Sequence, residues 1–180
     1  ASGAWQEILE RAEAEDKIVF VDAFTTWCGP CKMMSMQVFP EKAVGDLYNE
    51  HFINVTIDME QGEGLGLASQ YRVEAYPWLL FVDGQGEIVH RAVGFHNVPE
   101  FIELGRTALD PGARLSAYRE QYQSGNRDPE FLHDYAMVSY RAMDRDLGRI
   151  AEDYLQTQDD WGTEKNLRFI FTFVDDVDSG

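Results

Sequence analysis

Basic residues are scarce in this 180-residue chain: 15 Lys and Arg stand against 32 Asp and Glu, a formal net charge of −17. Nucleic acid and anionic lipid are gripped by clustered Lys and Arg, so neither is an expected partner. Acids outnumber bases both before and after residue 110, with no acidic tail, and the charge reads mainly as a solubility feature. Long apolar runs are also missing. A membrane-spanning helix needs roughly 20 consecutive apolar residues, and stretches such as Ile18–Val21 have only the length of a buried strand. Cysteine is reduced to Cys28 and Cys31, which excludes a disulfide-stapled mini-domain with its several widely spaced bridges. Ala1 is not an initiator Met. A processed end, such as one left by a removed signal peptide, fits this start, as does an internal boundary.

What remains is patterned for an α/β core. Ala4–Glu15 reads as an amphipathic helix with Trp5, Ile8, Leu9 and Ala12 on one stripe. Ile18–Phe24 is a short β-branched strand, and the turn Thr25–Pro30 leads into a helix starting at or just after Cys28. Pro40 is expected to kink or end that helix, and Glu41–Asn49 resumes it. Phe52–Asp58 is a second strand, Gln61–Gly66 a glycine-rich loop, and Ala68–Tyr71 a short helix. Trp78–Val82 and Glu87–Val93 flank Asp83-Gly84-Gln85-Gly86, a hairpin signal, and Val98–Ala108 is helical. This order predicts a mixed sheet covered on both faces.

Asp110-Pro111-Gly112 breaks the pattern, so two domains are expected, residues 1–110 and a helical appendage over 111–180. In the appendage Arg114–Gln123, Glu130–Met143, Leu147–Gln158 and Glu164–Val174 read as helices. Stripes are expected at Phe131, Tyr135 and Val138, and at Leu147, Ile150 and Tyr154. The last helix carries Leu167, Ile170, Phe171 and Val174, an apolar set that fits a fragment of a longer protein.

The chemistry is concentrated in Phe24-Thr-Thr-Trp-Cys-Gly-Pro-Cys-Lys32. A strand, a tight turn and a helix start put Cys28 at a helix N-terminus, where amide groups and the helix dipole favour a thiolate. That thiolate attacks a disulfide, and Cys31, one turn on, resolves the mixed disulfide. Gly29 lets the backbone turn, Pro30 stiffens the loop, and Trp27 reads as a flanking aromatic.

The segment WCGPCK behind an apolar strand resembles thioredoxin, and the likeness runs over residues 4–108. The resemblance implies the thioredoxin fold and a thiol–disulfide oxidoreductase. It implies further roles: Asp22 as the buried acid handling the proton of Cys31, Pro77 as a cis-proline facing the cysteines, and the Tyr76 backbone as a substrate dock. Gly94 matches a glycine that lets a substrate chain approach. The chain departs from the family at Asn54, where a lysine is common near the acid, and at the bulky Tyr76 and Trp78. The first strand of a full thioredoxin is not found. The likeness is greatest to bacterial envelope thioredoxin-like proteins with helical C-terminal extensions, which implies the periplasm or cell envelope rather than the cytoplasm.

Other readings of these residues are weaker. A zinc site would need two further ligands, and His51, His90, His96 and His133 do not supply the spacing. Gly62, Gly64 and Gly66 do not form a nucleotide loop, because they do not follow G-x-G-x-x-G between strand and helix. Met33, Met34 and Met36 read as core filler before an adaptable substrate surface. No cofactor is expected beyond the redox-active pair itself. The expected partners are disulfide-containing proteins and a thiol electron donor or acceptor; the oligomeric state is not legible. The alternative function is a partner-binding or chaperone-like module in which the pair is regulatory.

Overall fold

The computed structural model describes residues 3–174. Along the chain run α1 (Gly3–Glu15), β1 (Ile18–Phe24), α2 (Gly29–Gln37), α3 (Lys42–His51), β2 (Phe52–Asp58), α4 (Gly64–Tyr71), β3 (Trp78–Val82), β4 (Ile88–Val93) and α5 (Val98–Leu109). Then come α6 (Leu115–Gln123), α7 (Pro129–Arg141), α8 (Leu147–Gln156) and α9 (Glu164–Val174). The sheet has the order β2-β1-β3-β4. β1 lies parallel to β2 and antiparallel to β3, and β4 is antiparallel to β3.

Strand alternation explains why β1 is apolar at every position but Asp22. Val19, Val21 and Ala23 point to one face, where they pack with Trp5 and Leu9 of α1 and Leu67 and Tyr71 of α4. Phe20 points to the other face, joining Met34 and Val38, Tyr48 of α3, and Phe101 and Leu104 of α5. A strand buried on both faces has no solvent side to show, which makes the buried Asp22 its exception. The second face is rich in rings: Tyr48 stacks on Phe101 at 4.3 Å, and its hydroxyl donates to the Phe101 carbonyl at 2.8 Å. The expected mixed sheet with two covered faces is therefore present.

Some expected details shift. α4 begins at Gly64, inside the segment read as loop. A Cβ there would collide with the Asp58 carbonyl, so the helix starts where its backbone touches the end of β2, and glycine is what fits. The buried stripe of α7 is Leu132, Tyr135, Ala136 and Ser139, which keeps the expected Tyr135 but takes Leu132 and Ser139 in place of Phe131 and Val138. In α9, Phe169 and Asn166 are buried, whereas Leu167 and Phe171 are exposed. Val174 has no described side chain.

By compactness the chain divides after Tyr118, inside α6. The sequence break at Asp110-Pro111-Gly112 lies earlier because the start of α6 belongs to the first unit. Leu115 is fully buried, and its N–H donates to the buried His90 Nδ1 at 3.2 Å. Burial pushes the His90 pKa down to about 4. In the second unit α7 and α8 pack together. Its interior is held by paired polar groups: Tyr154 donates to Asn166 Oδ1 at 2.7 Å, and Arg119 Nη2 lies 2.9 Å from Asp144 Oδ2. No helix among the described residues is long and apolar enough to cross a membrane.

Candidate redox site

Cys28 is the N-cap of α2, with extended backbone angles, and Gly29 and Pro30 form the first turn. The Cys28 N–H donates to the Thr25 carbonyl at 3.2 Å, which closes the turn out of β1. The Cys31 N–H donates to Cys28 Sγ at 3.1 Å. Pro30 has no N–H to offer, at a position where a helix leaves donors unpaired anyway. Cys28 and Cys31 are joined by a disulfide with a Cα–Cα distance of 5.3 Å. They are 2% and 4% exposed, while Trp27 is 65% exposed. The cystine thus sits beneath a rim on which an aromatic ring stands out.

Asp22 lies in the middle of β1, paired in register with Thr56 and Leu79. Alternation puts it on the same sheet face as Phe20, the face that Met34 and Val38 cover. It is 4% exposed, and its Oδ1 has no hydrogen-bond partner among the described residues. Desolvation raises its pKa to about 6. Asn54 is turned to another task. Its Nδ2 donates to the Tyr48 carbonyl and to Asn49 Oδ1, capping the end of α3, and it brings no positive charge to the acid.

The Tyr76–Pro77 peptide is cis. The Gly94 N–H donates to the Pro77 carbonyl at 2.9 Å, and Gly94 has a φ of 88°, a conformation that favours glycine. Among the described residues no backbone hydrogen bond engages Tyr76, so its amide and carbonyl are open to a docking chain. The Tyr76 ring meets Trp27 edge-on at 5.8 Å. The structure therefore brings Trp27, Cys28, Gly29, Pro30 and Cys31 together with Tyr76, Pro77 and Gly94.

Two acids that motif reasoning had not singled out complete the rim. The Trp27 Nε1–H donates to both carboxylate oxygens of Glu60, at 3.0 and 3.1 Å. Asp58 Oδ1 accepts the Glu60 N–H at 3.0 Å. The Tyr76 pKa is raised by burial, then by the nearby charges of Glu60 and Asp58. Glu60 lies 33 positions from Trp27, and nothing in the sequence pattern links them. The methionines divide: Met34 is core, whereas Met33 and Met36 are exposed. His96 Nδ1 lies 3.0 Å from the Gly94 carbonyl. Groups of three or more His, Cys, Asp or Glu able to hold a metal ion are absent among the described residues.

Comparison with known proteins agrees with this geometry. A family model described as Thioredoxin-like domain matches residues 5–109. The chain is 39% identical over 90 residues to Thioredoxin H2-1 of Oryza sativa, a match covering 50% of this chain and 60% of that protein, less than two thirds of its length. A solution structure of a proposed disulphide-isomerase from Bacteroides thetaiotaomicron is 48% identical, with TM-score 0.54, covering 60% of this chain and 89% of that one. A thioredoxin from Thermus thermophilus is 29% identical, with TM-score 0.54, covering 60% of this chain and 85% of that one.

Proposed function

This chain belongs to the Thioredoxin-like domain family and carries that family's thiol–disulfide oxidoreductase pair, and from that premise we propose that it reduces or exchanges protein disulfides through the Cys28–Cys31 dithiol. The observation that carries the reading is Cys28 at the N-cap of α2, with the Cys31 amide donating to its sulfur. The same N–H and helix end stabilise negative charge on that sulfur once the pair is reduced.

The cycle begins with the Cys28 thiolate attacking one sulfur of a substrate disulfide. That bond breaks, a Cys28–substrate disulfide forms, and the departing substrate thiolate takes a proton. Cys31 then attacks the Cys28 sulfur, and Asp22 accepts its proton. The second substrate thiol leaves and the Cys28–Cys31 disulfide remains. Two electrons pass from enzyme to substrate, and a thiol donor returns them. An acid with a pKa of about 6 suits this proton transfer near neutral pH. The open Tyr76 backbone and Gly94 hold the substrate chain alongside.

CGPC resembles the reducing end of the family, which favours reduction over oxidation. The site of action is the bacterial periplasm or cell envelope on the strength of the family likeness, and fractionation of cells against compartment markers tests it. Insulin disulfide reduction in the presence of a reductant tests the activity: Cys28→Ser drops it to the uncatalysed background. Cys31→Ser accumulates a mixed disulfide with substrate. Unchanged turnover in Cys28→Ser, with a partner held by the helical unit alone, would instead favour the binding-module reading.

A further inference from the structure

We propose that Asp58 and Glu60 form a fixed acidic rim that selects disulfide substrates carrying Lys or Arg beside the reacting cysteine. The proposal rests on the oxidoreductase reading and names the substrate class of that same site. The occupant is an extended stretch of polypeptide, cationic around its disulfide, lying over Trp27 and the Tyr76 backbone.

The placement of the charge is the first ground. Glu60 is bound to the indole of Trp27, the ring that stands out beside the cystine. Trp27 in turn meets Tyr76, whose backbone is open next to Pro77. Any chain that reaches Cys28 along Tyr76 passes these carboxylates.

The second ground is that neither charge is neutralised. An indole N–H is a neutral donor, so Glu60 keeps its full charge while losing its freedom to move. Asp58 accepts from the Glu60 N–H and from Gln61 Nε2, at 3.0 and 2.8 Å, and both donors are neutral. Some surface acids elsewhere do meet a cation, among them Glu15 with Arg11, Asp46 with Lys42 and Glu130 with Lys165. Among the described residues no cation pairs with Asp58 or Glu60, and Lys32, next to Cys31, bonds to neither. A preorganised, unpaired charge at a docking rim acts on encounter and orientation, and it acts through salt-screened forces. The net charge of −17 adds a long-range field of the same sign.

The test uses the full chain, reduced beforehand, in single-turnover reactions with two disulfide-bridged peptides. These differ only in having Lys or Glu on each side of the cysteines, and neutral bis(2-hydroxyethyl) disulfide serves as a third substrate. The Lys peptide is expected to react about fivefold to tenfold faster than the Glu peptide at low ionic strength, and high salt narrows the gap. Asp58→Asn with Glu60→Gln brings the ratio close to one. Glu10→Gln with Glu13→Gln removes two charges from α1 and keeps the ratio; Glu13 touches Gly84, at the hairpin end of β3 away from Pro77. A wild-type ratio near one, with all three disulfides reduced, overturns the rim and leaves the oxidoreductase reading standing. A ratio that survives in the Asp58 and Glu60 variant, or collapses equally in the Glu10 and Glu13 variant, also overturns it. Failure of the folded, reduced protein to reduce any of the three removes the oxidoreductase reading, and the rim with it.

Discussion

Asp22 and Thr25 of the first unit and Asn166 and Asp144 of the second treat their buried polar atoms in opposite ways. In the second unit Asn166 is buried, yet its amide accepts from Tyr154 and donates to the Asp160 carbonyl, while Asp144 is held by Arg119. In the first, around the cysteines, Asp22 Oδ1 and Thr25 Oγ1 are buried with no partner among the described residues. A buried polar group costs free energy unless it is bonded, so one arrangement holds a fold and the other sustains a strain that the fold does not need. The proposed proton transfer would give a reason to keep an acid in that condition, because desolvation brings its proton affinity into the working range.

Asn166→Ala is the largest expected blow to this contrast. It leaves the Tyr154 hydroxyl and the Asp160 carbonyl unsatisfied and opens a small void. A loss of about 3 kcal/mol in the second unit is expected. Chemical denaturation measures it, and insulin reduction by the still-folded protein in mild buffer stays at the wild-type rate. A fall in rate matching the fall in stability would show that the helical unit shares in the chemistry.

Asp22→Asn should act with the opposite sign. The folded pKa of Asp22 is about 6 against a reference of 3.8, so the native state holds its proton more tightly. That contribution is complete below about pH 4 and is lost as pH rises through 6. At pH 7 the buried carboxylate therefore costs about 3 kcal/mol, which the amide removes. His90 runs the other way: its folded pKa is about 4 against 6.5, so its contribution is present above 6.5 and disappears as pH falls through 4. In the wild type these two slopes oppose each other between pH 4 and 6. In Asp22→Asn the oxidised protein should be more stable at pH 7 and lose stability steadily on acidification to pH 4. Turnover should drop at least about tenfold, with mixed disulfide accumulating, since the proton acceptor is gone. A flat pH profile in the variant would contradict the assignment of His90, and no gain in stability at pH 7 would contradict that of Asp22.

The same contrast explains how much could be read from the sequence. β1, β2 and β3 were legible to the residue because short β-branched or aromatic runs bounded by turn residues read as strands, and β3, buried along its whole length, is an unbroken apolar run. Cys28, Cys31 and Trp27 share one short segment, and Asp22, Pro77 and Gly94 followed from family resemblance at matching offsets. The rim acids were not legible. Glu60 meets Trp27 only because β2 ends beside the β1–α2 turn, where the Met59 N–H donates to the Phe24 carbonyl at 2.9 Å. The start of α4 was missed for a related reason: Gly64 is a contact glycine, and glycine spacing alone reads as loop. In the helical unit the element boundaries were close and Ile150 and Tyr154 of α8 are buried as expected, yet α7 buries Leu132 and Ser139 rather than Phe131 and Val138. A helix with apolar residues on several sides does not declare its inner face, and Leu167 and Phe171 were as apolar as the buried Phe169.

Thr25→Val tests the contrast more finely. Valine fills the same space without the unpaired hydroxyl, so the first unit should gain about 1 kcal/mol. Insulin reduction should slow, because this hydroxyl is the buried side-chain polar atom of the turn whose carbonyl at Thr25 binds the Cys28 amide. A stabilised variant with full activity would reduce Thr25 to a tolerated defect.

The smallest effect is expected where the contrast has an exception. Ser139, fully buried in α7 of the second unit, also has a hydroxyl without a partner among the described residues. No reacting group is near it in sequence, and it lies in the last turn of α7, where alanine is still the better helix former. Ser139→Ala removes one oxygen, leaving little void, and removes an unsatisfied donor. A gain of about 0.5–1 kcal/mol follows, with insulin reduction unchanged. Paired with Thr25→Val, this variant separates two meanings of the same observation. If both substitutions stabilise and only Thr25→Val slows the reaction, unpaired burial marks function in the first unit and mere tolerance in the second. If Ser139→Ala also slows it, the helical unit takes part in the redox cycle and the two units are not divided as their polar interiors indicate.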